Sequence, residues 1–523
     1  MIYRSPYPDV EIPDLTLPDF VLHEAMKHPS KPALIDGPSG RTLTYGQLAG
    51  AVQQVVAGLH QRGFGKGDVF AIYSPNLPEY AIIFFAVAAV GGINTTINPL
   101  YTADELTHQL KDAGARYLIT VPPFLDKAQE AAGRAGLEEV FVFGQAEGAT
   151  PFTDLFRPDV MAPHVEIDPR RDLVVLPYSS GTTGLPKGVM LTHRNLVANI
   201  LQTEAVEGLE PDETTIGILP FFHIYGMTVI LSMALHQGAT VVTMPKFELE
   251  LFLRLIQEHR VRTLFLVPPI ILALARHPLV DAYDLSSVET ITSGAAPLPE
   301  PVARACSERL GCVVKQGYGM TETSPVTHFM PRDAARLTMT TVGLAVPNTE
   351  FRLVDPATGD DVAEGEPGEL WIRGPQVMQG YLNNEAATRR TLDEEGWLHT
   401  GDIAQVDADG QLRIVDRVKE LIKYKGFQVA PAELEAILQS HPAVADAAVI
   451  PSPDEEAGEV PKAFVQLKPG QSATEAELMD YVAERVAPHK KVRRVAFIDQ
   501  IPKSASGKIL RRELVRRERE AMA

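Results

Sequence analysis

The sequence predicts an α/β protein. It has a large N-terminal body of mixed and parallel sheets covered by helices, a small β-barrel-like subdomain, and a small mobile α+β domain at the C-terminal end. Three observations predict this. Over most of the chain, short apolar β-rich runs alternate with segments apolar at helical spacing, the pattern of parallel strands joined by covering helices. After about Thr340 the texture changes to short strands broken by Gly, Pro and Asp turns. After Arg417 a compact mixture of strands and helices closes the chain.

The elements follow in order. "VFAIYS" (69–74), "RYLITV" (116–121), "LVVLPYSS" (173–180), "TIGILP" (215–220), "ATVVTMP" (239–245), "RTLFLVPP" (262–269) and "TITSGA" (290–295) read as buried strands. The segments 46–63 and 249–260 between them read as amphipathic helices. "EFRLVD", "GELWIRG" and "QLRIVDR" are the strands of a β-rich unit over about 341–417. From Val418 to Ala523 the pattern is hairpin "ELIKYKGFQV", helix "PAELEAILQS", strands "ADAAVIP" and "KAFVQLK", helix "EAELMDYVAERV" and strand "RVAFID". The expected domains are therefore 1–417 and 418–523, joined by a hinge near Asp416, since no low-complexity linker separates them.

Composition narrows the class. A chain of 523 residues, 45% hydrophobic and 22% charged, reads as a soluble globular protein. The net charge of −19 argues against a nucleic-acid partner. That charge is uneven: from Val418 onward 17 Lys and Arg face 16 Asp and Glu, a net of +1, so the remainder holds −20. The C-terminal unit is electrostatically separate, which fits either helical solvation or an anionic ligand meeting that unit. The two cysteines, Cys306 and Cys312, have neither disulfide-framework nor metal spacing and read as buried thiols. The longest apolar run, Tyr80 to Val90, is too short for a membrane helix and reads as a buried one. With no signal-peptide pattern and no terminal targeting tripeptide, a cytoplasmic location is the expectation.

The chemistry concentrates in a few stretches. "YSSGTTGLPKG" (178–188) follows an apolar strand. It fails as a Walker loop, because Pro186 takes the second glycine position and Gly188 follows Lys187. Its composition still suits phosphate: glycines let backbone N–H groups approach, hydroxyls donate, and the lysine supplies charge. Taken alone it is equally a glycine-rich strand-to-helix turn. "GYGMTE" (317–322) ends in a hydroxyl and a carboxylate, a pair suited to phosphate and Mg²⁺. "GWLHTGD" (396–402) ends in Asp402, able to accept from a ribose diol. "DRVKELIKYKGFQVAP" (416–431) and "PKSASGKILRR" (502–512) place lysines in the C-terminal unit.

In this order, the motifs resemble the adenylate-forming superfamily of acyl-CoA synthetases, luciferases and peptide-synthetase adenylation domains, over essentially the whole chain. "FFHIYG", "SGAAPL" and "KELIKYKGFQVAPAELE" look most like 4-coumarate–CoA ligases, although Thr292 stands where many plant enzymes have lysine. The resemblance implies an acid–CoA ligase using ATP, Mg²⁺ and coenzyme A, with a small-molecule carboxylic acid as substrate and no obligate protein partner. The acid attacks the α-phosphate to give acyl-AMP and pyrophosphate; CoA then displaces AMP.

The roles the resemblance implies are these. Ser179, Ser180, Gly181, Thr182, Thr183, Gly184 and Lys187 cradle the β- and γ-phosphates, Thr321 donates to phosphate, and Glu322 is the Mg²⁺ ligand. Gln316, Gly317, Tyr318 and Gly319 border the adenine and acyl pockets, Asp402 binds the ribose hydroxyls, and Arg417 assists. Tyr225, Thr228, Val229, Gly294, Ala295, Pro325 and Val326 line the acyl pocket, and His223 lies against the bound carboxylate. Lys508 serves adenylation, Lys419 is the hinge, and Lys423 and Gln428 serve thioester formation after rotation about it. Lone residues of these types have blander readings: His223 as a satisfied core histidine, Asp402 as a turn residue, Lys508 as a solvated lysine. A hydroxycinnamate is the favoured acid. A medium- or long-chain fatty acid, a carrier-protein-loading adenylation enzyme and a non-enzymatic nucleotide-binding protein are the alternatives.

Overall fold

The computed structural model describes residues 1–23, 27–179, 186–331, 338–417, 420–424, 427–454, 457–486, 488–504 and 507–522. Three sheets form the body. The first has eight strands, six of them parallel, with Val69–Tyr73, Ile93–Thr96 and Leu173–Ser179 adjacent at its centre. The second has four strands, with Thr214–Gly217, Thr240–Thr243 and Pro32–Asp36 parallel. The third places Thr263–Leu266, Thr290–Ser293 and Val313–Gly319 side by side in parallel and ends in two antiparallel strands. The strands read from apolar runs fall within one to three residues of their expected ends.

The helices form for local reasons. Tyr45–Gln61 starts at a capping box in which Thr44 and Gln47 satisfy each other's backbone N–H groups, and it buries Leu48, Val52, Val55, Val56 and Leu59 on one side. The run at Tyr80 forms the helix Pro78–Ala89, apolar all round and buried nearly throughout. No helix among the described residues is long and apolar enough to cross a membrane. Cys306 and Cys312 are buried and unbridged; burial pushes their thiols up to about 12 and about 11.

The β-rich layer expected after Thr340 is an antiparallel five-stranded sheet of Glu350–Val354, Gly368–Arg373, Leu398–Val406 and Leu412–Arg417, with Tyr3–Arg4 from the N-terminus on its edge. The terminal strand was not legible in sequence: two residues carry no periodicity.

The C-terminal domain has its own sheet, in which Val444–Asp454 pairs with Gly458–Leu467, flanked by the helices Pro431–Ser440 and Glu475–Ala483. Its core of Ile422, Val429, Leu434, Leu438, Val449, Val465, Leu478 and Val495 draws only on residues beyond position 418.

Candidate active site

The site lies where the body meets the C-terminal domain, and its parts arrive from distant elements. The loop 180–185 lies outside the described residues, so Ser180, Gly181, Thr182, Thr183 and Gly184 receive no structural account. Its flanks do: Ser179 and Lys187 are opposed across an antiparallel hairpin, so the chain returns as strand Lys187–Thr192 rather than entering a helix.

Gly380–Tyr381 pairs with Val189–Met190 on the far side of that hairpin. This brings the Tyr381 ring beneath the Lys187 ammonium, 3.9 Å from Nζ to centroid. Tyr381 donates its hydroxyl to Glu322 Oε1 at 2.8 Å, and Ser179 donates to the same oxygen at 3.0 Å. Glu322 is thus a buried carboxylate oriented by two hydroxyls beside the hairpin that pairs Ser179 with Lys187, and its charge acts on Arg417. Tyr381 was missed in sequence because "MQGYLNN" has no motif; only the pairing of distant strands reveals it.

Asp402 and Arg417 are set on two neighbouring strands. Leu398–Val406 alternates buried and half-buried residues, and Asp402 takes a buried position between Thr400 and Ala404. A carboxylate in that position is costly unless hydrogen-bonded. Arg417 lies directly across the ladder and places Nε 3.0 Å from Asp402 Oδ1, while Tyr318 donates its hydroxyl to Oδ2 at 2.5 Å. Burial, then the Asp402 charge, pushes the Tyr318 hydroxyl well up, so it stays protonated and a donor. Gln316 accepts from Leu298 N at 3.1 Å and donates to Met339 O at 2.6 Å, tying the "SGAAPL" turn to the same strand. Gly319 has no alternative: a Cβ there would sit 2.0 Å from Pro325 O. Thr321 and Glu322 share the short helical turn that follows.

Tyr225 starts the π-helical segment Tyr225–Ser232, which also holds the buried Thr228 and Val229. The Tyr225 hydroxyl donates to Thr292 O at 3.3 Å, and a Cβ on Gly294 would come within 2.6 Å of its ring. Ala295 is held at φ +69°. Val326 is buried, its backbone bonded both ways to the Asn199 amide, and Pro325 precedes it. His223 Nδ1 accepts from Tyr225 N at 3.3 Å, which leaves Nε2 to carry the proton of the neutral ring. Burial, then Lys508, pushes that imidazole down to about 4.

Lys508 comes from the C-terminal domain. A tight turn holds it: its N–H donates to Ser504 Oγ at 3.1 Å, its C=O accepts from Ser504 N at 2.8 Å, and Lys503 bridges Ile509. Gly507, at φ +80°, lets this turn close on Pro269, in the first turn of the helix Pro268–Arg276 that follows strand Thr263–Leu266; a Cβ would meet that ring at 3.0 Å. Burial, then Arg417, pushes the Lys508 ammonium down to about 8, while Asp402 and Glu420 pull the other way. Lys508, Asp402, Arg417 and His223 therefore share one electrostatic site. Lys423 and Gln428 are opposed in the register of the hairpin Ile422–Tyr424 and Phe427–Val429, but their side chains, like Lys419, lie outside the described residues.

An α/β body carrying a buried, hydrogen-bonded carboxylate at Asp402, a hairpin pairing Ser179 with Lys187 beside Glu322, and a lysine brought in by a second domain is the frame on which the comparisons bear. The chain belongs to the AMP-binding enzyme family, which matches residues 21–382, with the AMP-binding enzyme C-terminal domain at 433–508. It is an acid–thiol ligase of the adenylate-forming superfamily, most like the 4-coumarate–CoA ligases. 4-Coumarate–CoA ligase 1 of Solanum tuberosum is 44% identical over 524 residues, covering 98% of this chain and 96% of its own length. The crystal structure of the anthranilate CoA ligase AuaEII with anthranoyl-AMP aligns at TM-score 0.90 and 30% identity, over 98% of this chain and 99% of that one. ATP-bound MatB from Rhodopseudomonas palustris aligns at 0.89 and 28% identity, covering 97% and 100%; its apo form aligns at 0.79, covering 98% and 100%.

Proposed function

We propose that the protein joins 4-coumarate, or a related hydroxycinnamate, to coenzyme A in two steps within one pocket. The observation that carries this reading is the Lys508 turn seated against Pro269 of the body, which brings the ammonium within electrostatic range of Asp402, Arg417 and His223. In the first step an acid carboxylate oxygen attacks the α-phosphate of ATP; the new O–P bond forms as the α–β bridge breaks, and pyrophosphate leaves. Two anions approach each other, and Lys508 offsets their repulsion and the charge growing on the phosphoryl oxygens. His223, neutral above about pH 4, donates Nε2–H to the carboxylate. Asp402 accepts from the ribose hydroxyls while Tyr318 and Arg417 keep it aligned.

The residues present fit a magnesium ion. Among the described residues no cluster of three acidic, His or Cys side chains could hold a metal by itself. Magnesium characteristically takes one or two carboxylates and completes its shell with substrate phosphates and water. Glu322, fixed by Ser179 and Tyr381 beside the phosphate hairpin, is that carboxylate. The bound ion would neutralise charge on the phosphates.

In the second step the CoA sulfur attacks the acyl carbon, the C–O bond to AMP breaks, and the thiol proton leaves. We assign this step to a rotated C-terminal domain, with a boundary at 417/418, a pivot at Lys419, and Lys423 and Gln428 turned inward. Excluding water from the reactive anhydride requires a covering face at both stages. The better fit to ATP-bound than to apo MatB supports the adenylation arrangement here. The cramped contact of Tyr225 with Gly294 supports a flat aryl acid over a long alkyl chain. The deciding experiment is pyrophosphate release and acyl-CoA formation across 4-coumarate, cinnamate, hexanoate and palmitate. A palmitate preference above roughly tenfold, about 1.4 kcal/mol, would replace the aryl reading with the fatty-acid one.

A further inference from the structure

We infer that Asp416 is a positioning residue that latches the C-terminal domain over the site by capping one of its helices from the body. Asp416 ends the strand Leu412–Arg417 of the antiparallel sheet, next to the Arg417 that pairs with Asp402. Its side chain is buried, 6% exposed. Oδ1 accepts from Arg417 N at 2.7 Å, and Oδ2 accepts from Ala432 N at 2.9 Å.

Ala432 lies in the first turn of Pro431–Ser440, the helix whose Leu434 and Leu438 enter the C-terminal core. The N-cap position of that helix is Ala430, which has no side-chain capping bond, and Pro431 has no N–H to satisfy. The cap is therefore supplied across the joint. A carboxylate at a helix N-terminus also meets the positive end of the helix dipole.

The inference rests on the proposed rotation about Lys419, which separates Asp416 from Ala432. In the arrangement seen here the bond exists and the Lys508 turn rests on Pro269. Rotation breaks the bond, so Asp416 stabilises the adenylation arrangement alone. It touches no substrate and acts through the placement of Lys508.

The test separates the two half-reactions, using the acid the wild-type chain prefers. Pyrophosphate–ATP exchange reads adenylation; CoA attack on supplied acyl-AMP reads the second step. Asp416→Ala removes the acceptor. Ala432→Pro removes the donor within a first turn that tolerates proline, without altering Asp416. Each is expected to slow exchange roughly five- to tenfold, the range of a lost helix cap, and to leave CoA attack unchanged or faster. The double variant should be no slower than the slower single one, since both remove one bond. Equal slowing of both half-reactions, unchanged exchange, or multiplying effects in the double variant overturns the latch. A wild-type chain that exchanges no pyrophosphate with any acid overturns the ligase reading beneath it.

Discussion

Asp402 and Arg417 face each other across adjacent antiparallel strands, Oδ1 to Nε 3.0 Å, with Asp402 buried and Arg417 partly exposed. The pair fixes the carboxylate plane, and Tyr318 fixes its other oxygen. Losing a hydrogen bond to a charged group costs about 1.5–3 kcal/mol. Asp402→Ala is therefore expected to raise the KM for ATP by roughly 10- to 100-fold in pyrophosphate exchange. An unchanged KM for ATP would remove Asp402 from the nucleotide site.

Lys508 should matter to one half-reaction. From a turn closed by Ser504 and seated on Pro269, its charge acts on His223 and is acted on by Arg417 and Asp402. Lys508→Ala is expected to cut exchange by about 10²–10³, the scale of losing one aligned electrostatic contact in an active site. CoA attack on supplied acyl-AMP should persist. Equal loss in both assays contradicts the division of labour between the two faces of the C-terminal domain.

The same lysine sets a pH dependence. Its ammonium, pushed down to about 8, is charged below that pH and neutral above it. Adenylation needs the cation, so kcat/KM for ATP should be flat through neutrality and fall as pH rises through about 8. His223, pushed down to about 4, stays neutral over that range and adds no limb there. Lys508→Arg, whose guanidinium remains protonated, should abolish the alkaline fall even if its overall rate is lower. A wild-type profile level to pH 10 sinks the assignment.

Sequence read the scaffold well where chemistry was local. A run such as "VFAIY" is apolar on both faces and short, so the strand at Val69–Tyr73 had few alternatives; "TITS", three of whose four residues carry hydroxyls, is nonetheless buried throughout at Thr290–Ser293. Asp402 and Lys508 were singled out by the motifs "GWLHTGD" and "PKSASGKILRR", which carry the family resemblance. Tyr381, Asp416 and Pro269 were not, because each acts on a residue far away in sequence: Tyr381 on Glu322, Asp416 on Ala432 across the joint, Pro269 on Gly507. Ile93–Thr96, "INTT", lies near the centre of the largest sheet yet reads as a polar loop. Its Asn94 and Thr95 are buried because their side chains bond to backbone carbonyls of Val174 and Leu176 on the neighbouring strand.

The proposed seat of the acid, between Tyr225 and Gly294, yields the sharpest steric prediction. Tyr225 is buried, its hydroxyl reaches Thr292 O, and its ring lies so close to Gly294 that an added Cβ would stand 2.6 Å from Cε1. A contact that short forces the ring to move, and the buried π-helical segment behind it gives little room. Gly294→Ala should therefore push Tyr225 into the space a planar acid occupies. One methyl group in a close-fitting pocket is worth about 1–3 kcal/mol, or roughly 10- to 200-fold in kcat/KM. The loss is expected to be largest for 4-coumarate, smaller for cinnamate, and smallest for hexanoate, whose slim chain can bend around a displaced ring. Exchange measured at saturating acid should recover much of the rate, because the substitution acts on acid binding and leaves Lys508 and Asp402 in place. A uniform loss across the three acids, or one confined to kcat, would show that Tyr225 and Gly294 shape the catalytic frame rather than the seat of the acid.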